Sequence, residues 1–386
     1  MKYRELGQTG EKVSVLGFGA MRFPVIDGKS HCIDKKEATA MLEYGIEHGI
    51  NYIDTGYPYH RNENGEDETG ESESFLGEFL STGYRENVLI STKMPSWEIQ
   101  RKEDMEYFFN FQLQRLNVDQ IDVYHIHSLK RNYWEKLSKF GVLDFLDDIK
   151  SDGRAKHIGF SFHDDLDFLL EVLEEYDWEV VQIQMNYIDE NYQAGLSGLQ
   201  YIKALGIGNI IMEPLRGGTL VNNLPDDIIN IFNQSKVKRS PVEWAFSYLY
   251  NMEEVDMVLS GMSSLSQVKE NIEIASKSQP NSLTNDDKNI LKEVAMVYRE
   301  KRGNDCTMCG YCMPCPFNVD IPKCFNEYNN AKMFNDFKLG KNSYIHLISE
   351  ENRASKCTEC DECIGMCPEQ INIPDELKKV KNAFEN

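Results

Sequence analysis

The chain has 386 residues, 41% hydrophobic and 11% aromatic, which is enough apolar material to bury a sizeable core and excludes a disordered polymer. Against 41 Lys and Arg stand 63 Asp and Glu, a formal charge of −22, so nucleic acid and anionic membrane are not expected partners. That acidity serves either solubility or the docking of a basic electron-transfer partner, and the length suits two domains.

The N-terminus, Met1-Lys-Tyr-Arg-Glu-Leu-Gly7, has no apolar signal region, and no run of about 18 apolar residues follows anywhere. A soluble, cytoplasmic protein is expected. From about residue 12 to 276, short β-branched runs alternate with stretches of helical period. The candidate strands are Val15–Gly19, Asn51–Asp54, Val88–Thr92, Ile121–Ile126, His157–Ser161, Val180–Gln184, Asn209–Met212 and Asp256–Ser260. Stretches such as Lys36–Gly49 and Asp104–Leu116 have the apolar spacing of helices that cover a parallel sheet. Eight β-α alternations predict an α/β fold of the (β/α)8 TIM-barrel class over residues 1–282.

Leu283–Arg302 reads as a linker helix opened by Thr284, with Asp287 three positions on as an acidic variant of the capping box. Residues 303–386 then form a smaller, mostly α domain with an internal repeat. Cys306, Cys309 and Cys312 recur at Cys357, Cys360 and Cys363 with an offset of 51, and Cys315-Pro316 recurs at Cys367-Pro368 with an offset of 52. The match runs on, since Cys315-Pro-Phe-Asn-Val-Asp-Ile-Pro322 mirrors Cys367-Pro-Glu-Gln-Ile-Asn-Ile-Pro374. This is a duplicated half-domain, with a polar, helical insertion over Phe325–Arg353.

Eight of the ten cysteines fall in these two runs; Cys32 and Cys324 have no partners at ligand spacing and read as ordinary thiols. Clustering of this kind points to metal rather than disulfides. Cys357-x2-Cys360-x2-Cys363-x3-Cys367-Pro368 has the spacing of bacterial ferredoxins. Structural zinc, which pairs two C-x2-C knuckles across a loop, fits it poorly. The ferredoxin-like spacing implies two [4Fe–4S] clusters, one on Cys306, Cys309, Cys312 and Cys367, the other on Cys315, Cys357, Cys360 and Cys363. The first run departs from it by one residue, with two rather than three between Cys312 and Cys315. The clusters either carry electrons or simply help the small domain to fold.

Asp54, Lys93 and His127 stand at or just past the C-terminal ends of the second, third and fourth strands, with Tyr59 in the loop after the second. Barrel active sites are built at that rim. Asp54 is the natural partner for a buried Lys93. A phenol about 4 Å from that ammonium would gain roughly 4 kcal/mol at an effective dielectric near 20, or about three pKa units, so Tyr59 is expected to titrate near 7. Such a phenol suits carbonyl reduction, and His127 could orient the oxygen. Each of the four also has a bland explanation by itself: a turn cap, a packed aromatic, a snorkelling lysine, a satisfied histidine.

Asn51-Tyr-Ile-Asp54-Thr-Gly-Tyr-Pro-Tyr59, Ser91-Thr-Lys93 and Ile121-Asp-Val-Tyr-His-Ile-His127 resemble motifs of the aldo-keto reductases, as do Leu6-Gly-Gln-Thr-Gly10 and Leu16-Gly-Phe-Gly-Ala-Met-Arg22. The likeness spans essentially the whole chain, because one branch of that family carries a ferredoxin-like extension with the Cys-Gly-Tyr-Cys-Met-Pro-Cys-Pro run seen here at Cys309–Pro316. The resemblance implies that Asp54, Tyr59, Lys93 and His127 form the catalytic set, with Tyr57 competing for the place of Tyr59 and His125 for that of His127. It implies an oxidoreductase that interconverts a small carbonyl and an alcohol with NADP or NAD. The nucleotide would be held by Gly19, Met21, Ser161, Gln182, Arg216, Gly217, Gly218, Ser263, Gln267 and Asn271. Phe162, Met212, Gly261 and Gln267 depart from the family's usual nucleotide contacts, which leaves NADP, NAD and a flavin all open, and the acidic loop Glu63–Glu71 is longer than usual. A hydride moves two electrons and a cluster one, so the clusters are either structural or serve a flavin or an outside redox carrier protein. The competing reading is an iron–sulfur electron-transfer or interaction protein with a silent barrel. A metal-dependent barrel hydrolase would need a dense His/Asp ligand set that the rim lacks.

Overall fold

A computed structural model describes the chain except for residues 63–68, 223, 307, 309 and 368. The described residues form ten strands: β1 (Tyr3–Glu5), β2 (Lys12–Ser14), β3 (Leu16–Gly19), β4 (Tyr52–Asp54), β5 (Leu89–Met94), β6 (Ile121–Leu129), β7 (Ala155–Phe162), β8 (Val180–Gln184), β9 (Gly208–Met212) and β10 (Met257–Gly261). Strands β3 to β10 close into a barrel in chain order, every neighbouring pair parallel. Each of the eight overlaps a run singled out from sequence. Helices follow the strands, among them Lys35–Glu47 and Lys102–Leu116, as the helical period predicted.

The antiparallel hairpin of β1 and β2 is an element the sequence reading lacked. Its Leu6 and Val13 pack in one apolar cluster with Tyr52, Val123, Val180, Ile210 and Met257, residues at or near the starts of their strands. The hairpin therefore plugs the N-terminal mouth. Its turn is held by Asp256, whose carboxylate accepts from Gly7 N at 3.0 Å, Asn209 N at 3.1 Å and Lys203 Nζ at 2.6 Å. Gly7 has φ +53, and a Cβ there would stand 2.2 Å from Gly208 N, so no other residue fits the turn.

The chain divides into two compact units, Met1–Leu224 with Val237–Asp287, and Pro225–Lys236 with Lys288–Asn386. The helix Asn285–Glu300 begins as the capping signal predicted: Asp287 N donates to Thr284 Oγ1 at 3.2 Å, and Thr284 N to Asp287 Oδ2 at 3.1 Å. In the second unit the sequence duplication becomes a structural one. Asp320 caps the helix Ile321–Phe334 by accepting from Lys323 N, and Asn372 caps Ile373–Phe384 by accepting from Asp375 N, each helix with proline in its first turn. These helices and Phe337–Leu347 bury Phe325, Tyr344, Leu377, Val380 and Phe384 in one core, against which six of the cysteines lie. Among the described residues, no helix is long and apolar enough to cross a membrane.

Candidate functional site

At the open rim, Lys93 on β5 is buried to 1% exposure. Its Nζ donates to Asp54 Oδ2 at 2.7 Å, to the Thr55 carbonyl at 2.6 Å and to the Tyr59 hydroxyl at 3.4 Å. Ser91 Oγ donates to the other Asp54 oxygen at 3.2 Å. Removing two charges from water costs several kcal/mol each, so the pair survives only because its remaining donors and acceptors are satisfied. Burial alone would pull Lys93 down, but Asp54 and the Tyr59 hydroxyl outweigh it and hold the ammonium above its ordinary value. Asp54 is raised by its burial, against the opposing pull of Lys93 and Ser91.

Tyr59, and not Tyr57, is the phenol at this ammonium. Tyr57 OH accepts from Thr69 Oγ1 at 2.8 Å, and its ring packs edge-on against Phe108. Gly56 permits the arrangement, because a Cβ there would stand 3.3 Å from both the Tyr59 ring and His127 Cε1. The Tyr59 and His127 rings lie 6.0 Å apart at 78°, with Trp97 at 5.1 Å from His127 on another side. His127 is thus beside the phenol, whereas His125, one side-chain repeat deeper on β6, is fully buried. Burial first, and Lys93 second, push both imidazoles well below the usual histidine range, so both are neutral.

The expectation that Tyr59 titrates near 7 is overturned. Tyr59 stands above the ordinary tyrosine value, because burial outweighs the stabilisation by Lys93 while Asp54 and Glu213 add to the rise. The Coulomb argument had the right partner at about the right distance but omitted desolvation and the two nearby carboxylates. A neutral phenol results, still one donated hydrogen bond away from any oxygen placed at the rim.

The residues expected to hold a nucleotide ring the same rim. Ser161 and Gln182 are register partners on β7 and β8. Ser161 Oγ accepts from Ser128 N at 2.8 Å, and Gln182 Oε1 is buried with no partner among the described residues. Gly19 ends β3, and Met21 follows in a short helical turn, 52% exposed. Gly217 and Gly218 have φ of +64 and +95 after β9. Arg216 is ion-paired with Asp189, a partner that sequence reasoning missed. Beyond β10, Gln267 Oε1 accepts from Ser263 N at 2.8 Å, and Asn271 Nδ2 donates to Ser260 Oγ at 3.1 Å. Of the acidic loop Glu63–Glu71, residues 63–68 lie outside the described residues.

In the second unit, Cys312, Cys315, Cys357, Cys360 and Cys363 line one cavity of about 270 Å³. Cys306, Cys312 and Cys367 line a neighbouring one with Ile321, Phe325, Ile371 and Ile373, while Cys309 lies outside the described residues. Cys312 borders both cavities. Burial pushes the Cys363 thiol up to about 11, and its neighbours Cys357, Cys315 and Cys360 add to the rise. Thiols crowded round a cavity in this way are suited to an iron–sulfur cube. Cys324 stands apart in the helical core, raised to about 12 by burial.

A family model for the aldo/keto reductase family matches residues 15–294, and one for a 4Fe-4S dicluster domain matches residues 305–372. L-galactose dehydrogenase of Arabidopsis thaliana is 27% identical over 295 residues, covering 70% of this chain and 87% of the relative. NADH-specific methylglyoxal reductase of Escherichia coli is 23% identical over 342 residues, covering 76% and 98%. Among solved structures, the holo form of an aldo-keto reductase from Bacillus halodurans superposes with a TM-score of 0.61 at 24% identity, covering 76% of this chain and 96% of that one, a likeness of fold.

Proposed function

The chain belongs to the aldo/keto reductase family and carries a 4Fe-4S dicluster domain, and from that premise we propose that it interconverts a small carbonyl and its alcohol with a nicotinamide cofactor. The observation that carries this reading is Lys93 Nζ touching both Asp54 and the Tyr59 hydroxyl, with His127 beside the same phenol. In reduction, Tyr59 donates its proton to the carbonyl oxygen as negative charge develops there. Lys93 steadies the phenolate left behind, and Asp54 keeps Lys93 charged. His127, neutral, orients the oxygen, while His125 is sealed beneath it.

A nicotinamide, when bound, supplies the hydride for carbon. Its carboxamide fits the orphaned Gln182 Oε1, since a buried acceptor without a donor costs about 1–3 kcal/mol and an amide N–H removes that cost. Gly217 and Gly218 suit a close approach to phosphate. Asp189 neutralises Arg216, and Gln267 is taken up by Ser263, which favours NADH over NADPH. The relative named as an NADH-specific methylglyoxal reductase makes NADH and methylglyoxal the first pair to test. In the second unit, Cys306, Cys309, Cys312 and Cys367 would hold one [4Fe–4S] cluster and Cys315, Cys357, Cys360 and Cys363 the other, each able to exchange single electrons.

The test is protein purified without oxygen, analysed for iron and sulfide, and assayed with NADH against methylglyoxal and a panel of aldehydes and ketones. Tyr59→Phe is expected to lose about 10²- to 10⁴-fold in turnover with its cluster absorbance intact. Undiminished turnover in that variant would overturn the reading. Bleaching of the cluster band by NADH alone would show that the two centres exchange electrons.

A further inference from the structure

Behind Lys93 lies a charged group that the proposed chemistry does not use. Glu73, in the helix Ser72–Phe79, has 0% exposure, an extreme that carboxylates rarely reach without partners. Its Oε1 accepts from Thr92 Oγ1 at 2.6 Å and from Gln112 Nε2 at 2.7 Å, and its Oε2 from Arg115 Nε at 3.3 Å. Two of these partners reach on to the backbone of the rim. Gln112 Nε2 also donates to the Lys93 carbonyl at 3.0 Å, with its Oε1 taken by Tyr124 OH at 2.9 Å. Arg115 Nη2 donates to the carbonyl of Gly70.

Gly70 closes the turn that presents Tyr59. Gly70 N donates to Tyr57 O at 2.8 Å and Ser72 N to Tyr59 O at 3.1 Å, and a Cβ at Gly70 would lie 1.9 Å from Tyr59 O. One buried carboxylate is therefore one hydrogen bond, through Thr92 Oγ1, from the strand carrying Lys93, and two hydrogen-bonded steps, through Arg115, from the turn carrying Tyr59. The ammonium itself also joins these two segments, through its bonds to the Thr55 carbonyl at 2.6 Å and to the Tyr59 hydroxyl at 3.4 Å. A solvated ion pair would not need such enclosure, and an apolar cluster of the same size would fill the space at lower cost. What the ion pair adds is directional: its donors point at both backbones.

We propose that Glu73, acting through Arg115 and Gln112, is a positioning residue that holds the Tyr59 phenol against the Lys93 ammonium. The proposal rests on the reading of Tyr59 as proton donor for its consequence in turnover, and on geometry alone for its effect on the phenol. Removing only one charge would bury the other unpaired, so the informative variant is Glu73→Gln combined with Arg115→Met, with Arg115→Lys as the conservative comparison.

Full-length protein carrying its clusters is labelled with 13Cζ-tyrosine, and the Tyr59 resonance is assigned by its loss in Tyr59→Phe. A retreat of the phenol by about 1 Å from Lys93 moves its titration midpoint up by close to one pH unit at an effective dielectric near 20. The double variant is expected to show that rise, together with a loss of about tenfold to a hundredfold in kcat for methylglyoxal or whichever panel carbonyl turns over, and a nearly unchanged KM. Arg115→Lys, which keeps the charge and one of the two bonds, should recover part of both effects. A folded double variant with an unmoved Tyr59 midpoint would overturn the proposal, whatever its kinetics. If the midpoint moves and kcat does not, positioning stands and it is the proton-donor reading that fails.

Discussion

Replacing Lys93 by Met removes the ammonium from the rim while keeping the length of the side chain. At 3.4 Å, the attraction between that charge and an ionised Tyr59 is about 5 kcal/mol at an effective dielectric near 20. Asp54 at 2.7 Å from the same nitrogen opposes it, so the net stabilisation of the phenolate is smaller. The variant is expected to raise the Tyr59 midpoint by up to about three pH units. Turnover should fall by about 10²- to 10⁴-fold, because the proton donor loses the charge that stabilises its conjugate base. The single change also strands Asp54 at 2% exposure, which costs about 3–5 kcal/mol of stability unless the carboxyl takes up a proton. Asp54→Asn combined with Lys93→Met removes both charges and should restore stability without restoring turnover. The assay pairs the pH profile of kcat with the Tyr59 resonance and a thermal melt. A folded Lys93→Met protein whose phenol midpoint and kcat profile match the parent would refute the electrostatic argument.

Cys363→Ala should remove one cluster, with iron and sulfide falling by about half, while Cys324→Ala should leave both unchanged; equal losses in the two variants would contradict the ligand assignment. Acid stability provides a separate check. His125 is held neutral well below the usual range, so the unfolded chain takes up a proton below about pH 6.5 that the native state does not, and its contribution, complete above that pH, is lost as pH falls. His125→Leu should therefore flatten the acid limb of unfolding free energy by about 1.4 kcal/mol per pH unit; an unaltered slope would mean that the native imidazole protonates too.

Much of this protein is legible in its residues because the signals are local. The eight barrel strands are apolar runs between helical periods. The Thr284 and Asp287 cap and the twin Asp320 and Asn372 caps lie within three residues of the backbone groups they bind. The cysteine repeat needs no fold to be seen. The β1–β2 hairpin was missed because three-residue strands are too short to show a period, and their reason for existing is the barrel mouth they plug.

Glu73 reads from sequence as one more acid on a helix, and Asp189 as one more in a loop. Tyr57 and Tyr59 stand two residues apart in one segment with equal claims, as do His125 and His127 on one strand face. Only the closed barrel separates each pair, by bringing Tyr59 to Lys93 and sealing His125 away. The direction of the Tyr59 shift was likewise beyond the sequence. Proximity of opposite charge can be inferred from a motif, but desolvation depends on every atom that excludes water, and those atoms come from segments far apart in the chain.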